Sequence, residues 1–368
     1  MVGLIRIKRG IMARSRPRKS RKTRVSIVNG FKEIPESHTY VIGEAGNNHN
    51  GELEKGYKLI DVAIEAGCDA VKFQKRDIDS MLTKDRLDRV FTNVPEWGDT
   101  YRKVREHIEL SWEEFKKLKE YCKGKIDFIV TPFDIPSVRF LEKLGVDAYK
   151  VAAFTLTDIP VLEELAKTNK TIIMSVGMAT EQEVKDALEV LEGYDVVLLH
   201  CVSSYPMRAE DANLQWIQWL KKFGKPVGFS DHENGITFGP VAVALGARVI
   251  EKHYTINRAL PGLDHAMSLE PHGLKKLVRN IRKVEKGLQW SKQEREVLPG
   301  ELKIFDEKRR TIVAAKEIKK GEKITREMLT TKGPNRGLPP KMIPELIGKP
   351  AMQDIEADTH ITFGMVKL

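Results

Sequence analysis

Ser230-Asp231-His232 and Glu251-Lys252-His253 each close a short apolar run, Pro226–Phe229 and Ala247–Ile250, with a helical stretch, Gly235–Leu245, between them. This order predicts two neighbouring parallel strands, each ending in a histidine. In a barrel of alternating strands and helices that end of the sheet carries the chemistry, and two imidazoles there can share one divalent ion. Pro261-Gly262-Leu263-Asp264-His265 follows and brings a carboxylate close behind. Taken singly, either histidine reads as a satisfied strand end; the pair with Asp264 reads as a site.

The elements that must position such a site recur eight times between residues 40 and 288. The strands are expected at Thr39–Gly43, Ala70–Phe73, Asp127–Val130, Ala148–Val151, Thr171–Met174, Val196–Leu199, Val227–Phe229 and Arg248–Ile250, each followed by a helical pattern of period 3.6. Eight such units make a TIM (β/α)8 barrel. Capping boxes at Thr180 with Glu183 and at Ser111 with Glu114 mark two of the helix starts. An insertion at about Arg76–Glu109, with Pro95, Trp97 and Gly98, is too long for a plain loop and is expected in the rim above the site.

Read in order, the strand ends carry Glu44, Lys72 and Gln74, Asp134, Lys150, Ser175, Ser203 and Tyr205, Ser230 and His232, then His253. Two lysines pointing into one cavity demand an anion, most simply a phosphate, to which Ser175 and Ser230 can add neutral donors. The alternatives are that Lys72 and Lys150 pair with Glu44 and Asp134, or that Lys150 forms a Schiff base. The two histidines weigh against the iminium route, which has no need of a metal.

Composition limits the other classes of function. The chain has 368 residues, enough for one large domain and a small one: a barrel over 31–290, a charged linker over 291–308 and a small β-rich module over 309–368. No apolar run approaches the roughly 20 residues that cross a bilayer. Cys68, Cys122 and Cys201 form no paired pattern and read as reduced thiols of a cytoplasmic protein. The net charge of +10 comes from residues 1–24, whose ten Lys and Arg face no acid; without them the 62 basic residues become 52, against 52 acidic. Residues 1–30 therefore read as a basic disordered leader, with Met12 as an alternative start, and nucleic acid is a candidate partner for this leader alone.

Several blocks resemble one family. Glu44-Ala45-Gly46-Asn47-Asn48-His49-Asn50-Gly51, Ala70-Val71-Lys72-Phe73-Gln74, Leu199-His200-Cys201 with Tyr205-Pro206, Phe229-Ser230-Asp231-His232, and Glu251-Lys252-His253-Tyr254-Thr255 through Ser268-Leu269-Glu270-Pro271 are similar to the sialic acid synthases and their relatives. Val313-Ala314-Ala315-Lys316-Glu317-Ile318 with Lys320-Gly321-Glu322 is similar to their antifreeze-like (SAF, β-clip) domain. The resemblance implies condensation of phosphoenolpyruvate with an open-chain N-acetylmannosamine-type aldehyde to a nine-carbon 2-keto acid and inorganic phosphate. It also implies Mn²⁺ or Mg²⁺ on His232 and His253, Glu44 or Asp264 as base, and Lys72, Lys150, Ser175 and Ser230 around the phosphate. Finally, it implies a homodimer in which each SAF domain caps the partner's site.

The pattern also departs from the family. Lys150 is followed by Val151-Ala152-Ala153-Phe154-Thr155 where a Gly-Ser-Gly-Glu type run is usual, so a hydroxyl and a carboxylate are missing. Gly333 stands where the cap's sugar-contacting arginine is expected, with Arg336 three residues on as its substitute. Cys201-Val202-Ser203-Ser204-Tyr205-Pro206 and the Ala153-Phe154 step are closer to pseudaminic acid synthases, and Pro261–His265 to sialic acid synthases. The alternatives are therefore a pseudaminic or legionaminic acid synthase acting on a 6-deoxy-diacetamido hexose, and an inactive sugar-binding barrel. A synthase making a shorter keto acid from a phosphorylated sugar would need a second cationic pocket at the rim, and the SAF-like module argues against it.

Overall fold

Inward-facing side chains fill the floor of a closed barrel with aliphatic carbon and its upper half with charge. The computed structural model describes residues 24–289 and 295–367, which fall into two units dividing after Gln289. In the first unit eight parallel strands, β1 (Tyr40–Gly46), β2 (Ala70–Lys75), β3 (Asp127–Pro132), β4 (Ala148–Val151), β5 (Ile172–Ser175), β6 (Val196–Cys201), β7 (Val227–Asp231) and β8 (Val249–His253), pair in sequence order and close β8 onto β1. The expected TIM barrel is thus observed.

Alternation along each strand sorts the residues. Val41, Val71, Phe128, Tyr149, Ile172, Leu198, Phe229 and Ile250 point outward into the core shared with the helices. Ile42, Ala70, Ile129, Ala148, Ile173, Leu199 and Val249 pack with one another as the barrel's floor. Two residues further along the same inward series stand Glu44, Lys72, Thr131, Lys150, Ser175, Cys201 and Glu251. Gly228 completes the floor because it lacks a side chain: a Cβ there would lie 2.5 Å from both Leu199 Cδ2 and the Val249 carbonyl oxygen.

The helices follow local rules. Ser111 and Thr180 each form the expected reciprocal capping box, at the starts of helices Trp112–Cys122 and Glu181–Val190. The stretch expected helical over Gly235–Leu245 is helical over Phe238–Ala244. The insertion holds three α-helices, Ile78–Met81, Lys84–Leu87 and Tyr101–Ile108, and a 3-10 turn, Pro95–Trp97. No helix among the described residues is long and apolar enough to cross a membrane.

Two boundaries differ from expectation. Residues 1–23 of the basic leader lie outside the described residues, but 24–30 are part of the fold. Ile27, Phe31 and Ile34 are buried against the floor. Asp127, itself buried, gathers Arg24 at 2.8 Å, the Ser26 hydroxyl, the Ile27 amide and the Tyr40 hydroxyl. Three apolar residues just after a basic stretch are a weak signal in sequence, yet the open bottom of a barrel is apolar surface that such a segment can cover. Within the expected linker, residues 302–308 form a helix, Leu302–Lys308. The second unit pairs β9 (Thr311–Ala314) antiparallel with β10 (Leu329–Lys332) over its own core of Ile312, Ile318, Ile324, Leu338, Leu346, Ile355 and Ile361.

Ile27, Phe31 and Ile34 plug the bottom of the barrel as part of its core, so Phe31→Ala is expected to lower the unfolding free energy by about 3–5 kcal/mol, read from urea midpoints. A chain starting at Arg24 should keep the full-length midpoint. A Phe31→Ala change below about 1 kcal/mol would show the plug to be peripheral.

Candidate functional site

The inward series converges at the carboxyl ends of the strands on a cavity of about 350 Å³. At its base lie four buried ionisable side chains. Lys72 Nζ stands 3.0 Å from Glu44 Oε2 and 3.6 Å from Glu251 Oε1, and it donates to Thr131 Oγ1 at 3.0 Å. Lys150 is placed differently: its ammonium donates to Ser175 Oγ at 2.6 Å and to the Val151 carbonyl at 2.9 Å, and among the described residues it forms no direct ion pair. Ser230 donates to Glu251 at 3.0 Å.

The electrostatics follow this asymmetry. Burial pulls the Lys72 ammonium down, but Glu251 and Glu44 outweigh it and leave its pKa raised. For Lys150 burial wins; Glu251 compensates in part, Lys72 adds to the depression, and the pKa is lowered. Burial pushes the Glu251 carboxyl up, yet Lys150, Lys72 and His253 reverse this and hold it at about 2. The cavity therefore contains one lysine already matched by carboxylates and one that an incoming anion can match.

Above this layer His232 and His253 face each other with ring centroids 5.7 Å apart. His232 Nδ1 lies 2.7 Å from the Val202 carbonyl oxygen. A carbonyl can only accept, so the proton sits on Nδ1 and Nε2 keeps a free lone pair. Burial, reinforced by His253, holds the His232 pKa down at about 3, so the ring is neutral. His253 Nδ1 is buried without a hydrogen-bond partner, 3.9 Å from Asp264 Oδ2. No group of three or more His, Cys, Asp or Glu among the described residues is gathered tightly enough to hold an ion by itself. The neutral His232 ring, with the orphaned nitrogen of His253 beside a carboxylate, fits an exchangeable ion whose remaining ligands are water or substrate. The Tyr205 ring covers His232 at 4.2 Å.

The structure brings eleven of the twelve expected site residues to this one cavity: Glu44, Lys72, Gln74, Lys150, Ser175, Ser203, Tyr205, Ser230, His232, His253 and Asp264 all line it. Arg336 is exposed in the second unit. Asp134 is not among the lining residues; it caps helix Ile135–Leu144 by accepting from the Ser137 amide at 2.7 Å. The ion-pair alternative thus holds for Lys72 with Glu44 and not for Lys150 with Asp134. Of the residues that replace the family's hydroxyl and carboxylate, Ala153 lines the cavity, whereas Thr155 is buried with its hydroxyl unpartnered.

Sequence reasoning missed Glu251, Thr131, Asn47, Arg76 and Arg105, which also line the cavity. The period of two would have found Glu251, two residues before His253, and Thr131, two after the floor residue Ile129. Arg76 extends the series Lys72, Gln74. Nothing local marks Arg105, which arrives on helix Tyr101–Ile108 of the insertion.

Comparison with known proteins agrees with the geometry. The profile of the NeuB family matches residues 59–293, and that of the SAF domain residues 309–367. An uncharacterized protein of Methanocaldococcus jannaschii is 42% identical over 88% of this chain and 93% of its own length. The N,N'-diacetyllegionaminic acid synthase of Campylobacter jejuni is 38% identical over 88% and 98%. Proteins named N-acetylneuraminate-9-phosphate synthase and pseudaminic acid synthase also match. The crystal structure of N-acetylneuraminic acid synthetase from Leptospira borgpetersenii, in complex with citrate, superposes with a TM-score of 0.64 at 36% identity, over 74% of this chain and 91% of that one.

A carboxyl held below its ordinary value of 4.5 contributes stability that is present above that pH and lost as the pH falls toward 2. Lys150→Met removes the largest of the charges holding Glu251 down. Across that window the wild type is therefore expected to lose more stability than the variant, as read by urea unfolding of metal-free protein. A difference between the two that does not change with pH would rule out Lys150 as the main partner of Glu251.

Proposed function

The chain belongs to the NeuB family, and from that premise we propose that it condenses phosphoenolpyruvate with an N-acetylated aldose of the N-acetylmannosamine type. The products are a nine-carbon 2-keto sugar acid and inorganic phosphate. The observation that carries this reading is Lys150, a buried cation with a hydroxyl and a carbonyl but no carboxylate in direct contact, set below two facing histidines.

In this reading Lys72, Lys150, Ser175 and Ser230 hold the phosphate of phosphoenolpyruvate at the base of the cavity. His232 and His253 hold a divalent ion, Mn²⁺ or Mg²⁺, which when bound polarises the aldehyde oxygen. C3 of the enol attacks the aldehyde carbon, the aldehyde oxygen takes a proton, and C2 becomes electron-poor. Glu44 and Glu251 stabilise that positive character, since both carboxylates lie at the same level of the lumen. Water adds to C2, and Asp264 is the better placed base, because Glu44 is engaged by Lys72 at 3.0 Å and by the Gln74 amide at 2.9 Å. Breaking the bond between C2 and the phosphate oxygen then leaves the ketone and free phosphate.

The mouth of the cavity favours a cover. Phe154, Met178 and Tyr205 line it and are 59%, 68% and 57% exposed. A reacting enol needs exclusion of water, and exposed apolar side chains around an opening gain from being covered. We take the cover to be the SAF domain of a second copy in a homodimer, with Arg336 reaching the sugar's acyl group. A pseudaminic or legionaminic acid synthase, acting on a 6-deoxy-diacetamido hexose, is the second reading, favoured by Ala153 and Phe154 in the cavity wall.

Phosphate release from phosphoenolpyruvate is expected only when an N-acetylated aldose is present, and excess EDTA should stop it until Mn²⁺ or Mg²⁺ is restored. Full turnover in metal-stripped protein overturns the metal role; phosphate release that ignores every aldose overturns the condensation. For the cap, Lys150→Met and Arg336→Ala subunits are each expected to be impaired, and their heterodimer should regain activity because one site holds both intact parts. Heterodimers no more active than the separate variants would exclude the exchanged cap.

A further inference from the structure

Asn47-Asn48-His49-Asn50 follows β1, and the condensation described above gives none of the four a part. The fold fixes this turn from behind. Its backbone closes on itself: the Asn48 amide donates to the Ala45 carbonyl, that of Asn50 to Asn47 and that of Glu52 to His49, each at 2.9 Å. His49 is buried, with its ring 6.0 Å from that of Phe73, and its Nδ1 accepts from the Gly51 amide at 3.1 Å. Gly51 in turn abuts the insertion, since a Cβ there would lie 2.1 Å from the His107 carbonyl oxygen. A turn held on these sides has little freedom left.

Its free side faces the loop between β8 and helix Pro271–Leu288. Residues 256–264 of that loop are exposed or half-buried, whereas His265, Met267 and Ser268 are buried. Asn48 Nδ2 donates to the Tyr254 carbonyl at 2.8 Å and to Ser268 Oγ at 2.9 Å, and Ser268 Oγ donates to the Asp264 carbonyl at 2.6 Å. Asn50 Nδ2 donates to the Pro261 carbonyl at 2.9 Å, which leaves its Oδ1 facing His265 Nε2 at 3.0 Å. An amide oxygen only accepts, so His265 carries its proton on Nε2, and its Nδ1 accepts from the Thr255 hydroxyl at 2.6 Å. Neither Asn48 nor Asn50 lines the cavity; both act on the loop alone.

We infer that Asn48 and Asn50 are positioning residues for Asp264, holding the loop after β8 so that its carboxylate stays beside His253 Nδ1. Asp264 is the one acid among residues 254–269, and its own side chain is loosely held, 3.4 Å from Asn47 Nδ2 and 3.9 Å from His253. Its place is therefore set through the backbone, by Ser268 at its carbonyl and by His265 next to it in the chain. The end of β1 leaves room for the carboxylate, since a Cβ at Gly46 would lie 3.3 Å from Asp264 Oδ2 and 3.2 Å from Glu44 Oε1. A reacting group displaced by about 1 Å loses on the order of 100-fold in rate, so a loop with so little buried surface needs such a clamp. This inference rests on the condensation proposed above, in which Asp264 is the base.

The test is a double-mutant cycle on the full-length, metal-loaded protein. Asn48→Ala and Asn50→Ala are each expected to lower kcat about 10- to 100-fold, with KM for phosphoenolpyruvate unchanged to within about twofold. Ser268→Ala, which cuts the link from Asn48 to the Asp264 carbonyl, should do the same and carries the cycle if an asparagine variant does not fold. In an Asp264→Ala background these changes should lower kcat by no more than about twofold, because the group they position is gone. Equal losses with and without Asp264 overturn the inference, as does wild-type kcat in every single variant. Hydrogen exchange gives a reading that needs no turnover: amides of residues 256–268 should exchange about tenfold faster in the variants, while those of the eight strands keep the wild-type rate. Wild-type exchange in that loop overturns the inference whatever the kinetics. If wild type turns over no aldose, the condensation fails, and exchange alone decides the clamp: faster exchange confined to the loop upholds it.

Discussion

Four ionisable side chains share one buried level of the barrel, and most of the site follows from how they neutralise each other. Taking a single carboxylate or ammonium out of water costs several kcal/mol unless a partner offsets it. Glu44, Lys72, Glu251 and Lys150 cancel in sum but not in contact, since Lys72 lies between both carboxylates and Lys150 lies beside a hydroxyl and a carbonyl. The aliphatic floor beneath them excludes water that could substitute. An anion arriving at Lys150 therefore meets a cation already desolvated and oriented, which is the condition under which electrostatic stabilisation acts without reorganisation.

Such a cluster needs strands that do not shift against one another. Behind the histidines, on the outward face, Asp231 and Lys252 are paired in register between β7 and β8 at 2.9 Å, with both side chains buried. Each is the residue immediately before a histidine, so the ion pair ties together the two backbones that present His232 and His253. At the other end of the barrel Asp127 collects four donors from the N-terminal segment and from β1, and Asp69 receives Arg282 and the Val41 amide. Breaking either buried set leaves an uncompensated charge, which costs more than the intact pair contributes.

The rim obeys different rules from the lumen. Its residues come from the insertion after β2, whose short helices carry most of their charges in exposed pairs that contribute little. Arg76 and Arg105 stand apart because both line the cavity and each has a buried donor without a hydrogen-bond partner. The apolar side chains at the mouth and the cations beside them give the cavity two kinds of wall.

Alternation in sequence was enough to place eight strands and most of the inward residues, because the period of two is a local property of the extended chain. The expected strands stopped short at Gly43, Phe73 and Leu199 where the real ones continue to Gly46, Lys75 and Cys201. Polar residues ended the apolar pattern there, but parallel pairing continues through them, whether they point into the lumen as Gln74 does or outward as His200 does. Capping boxes were legible for the same local reason. The partners were not: that Lys72 and not Lys150 takes the carboxylates, that Ile27 and Phe31 close the floor, and that Arg105 reaches the cavity all depend on closing the barrel. Closure brings together residues tens to hundreds of positions apart, and their mutual burial, absent from any local window, decides which charges are matched and which are left for a ligand.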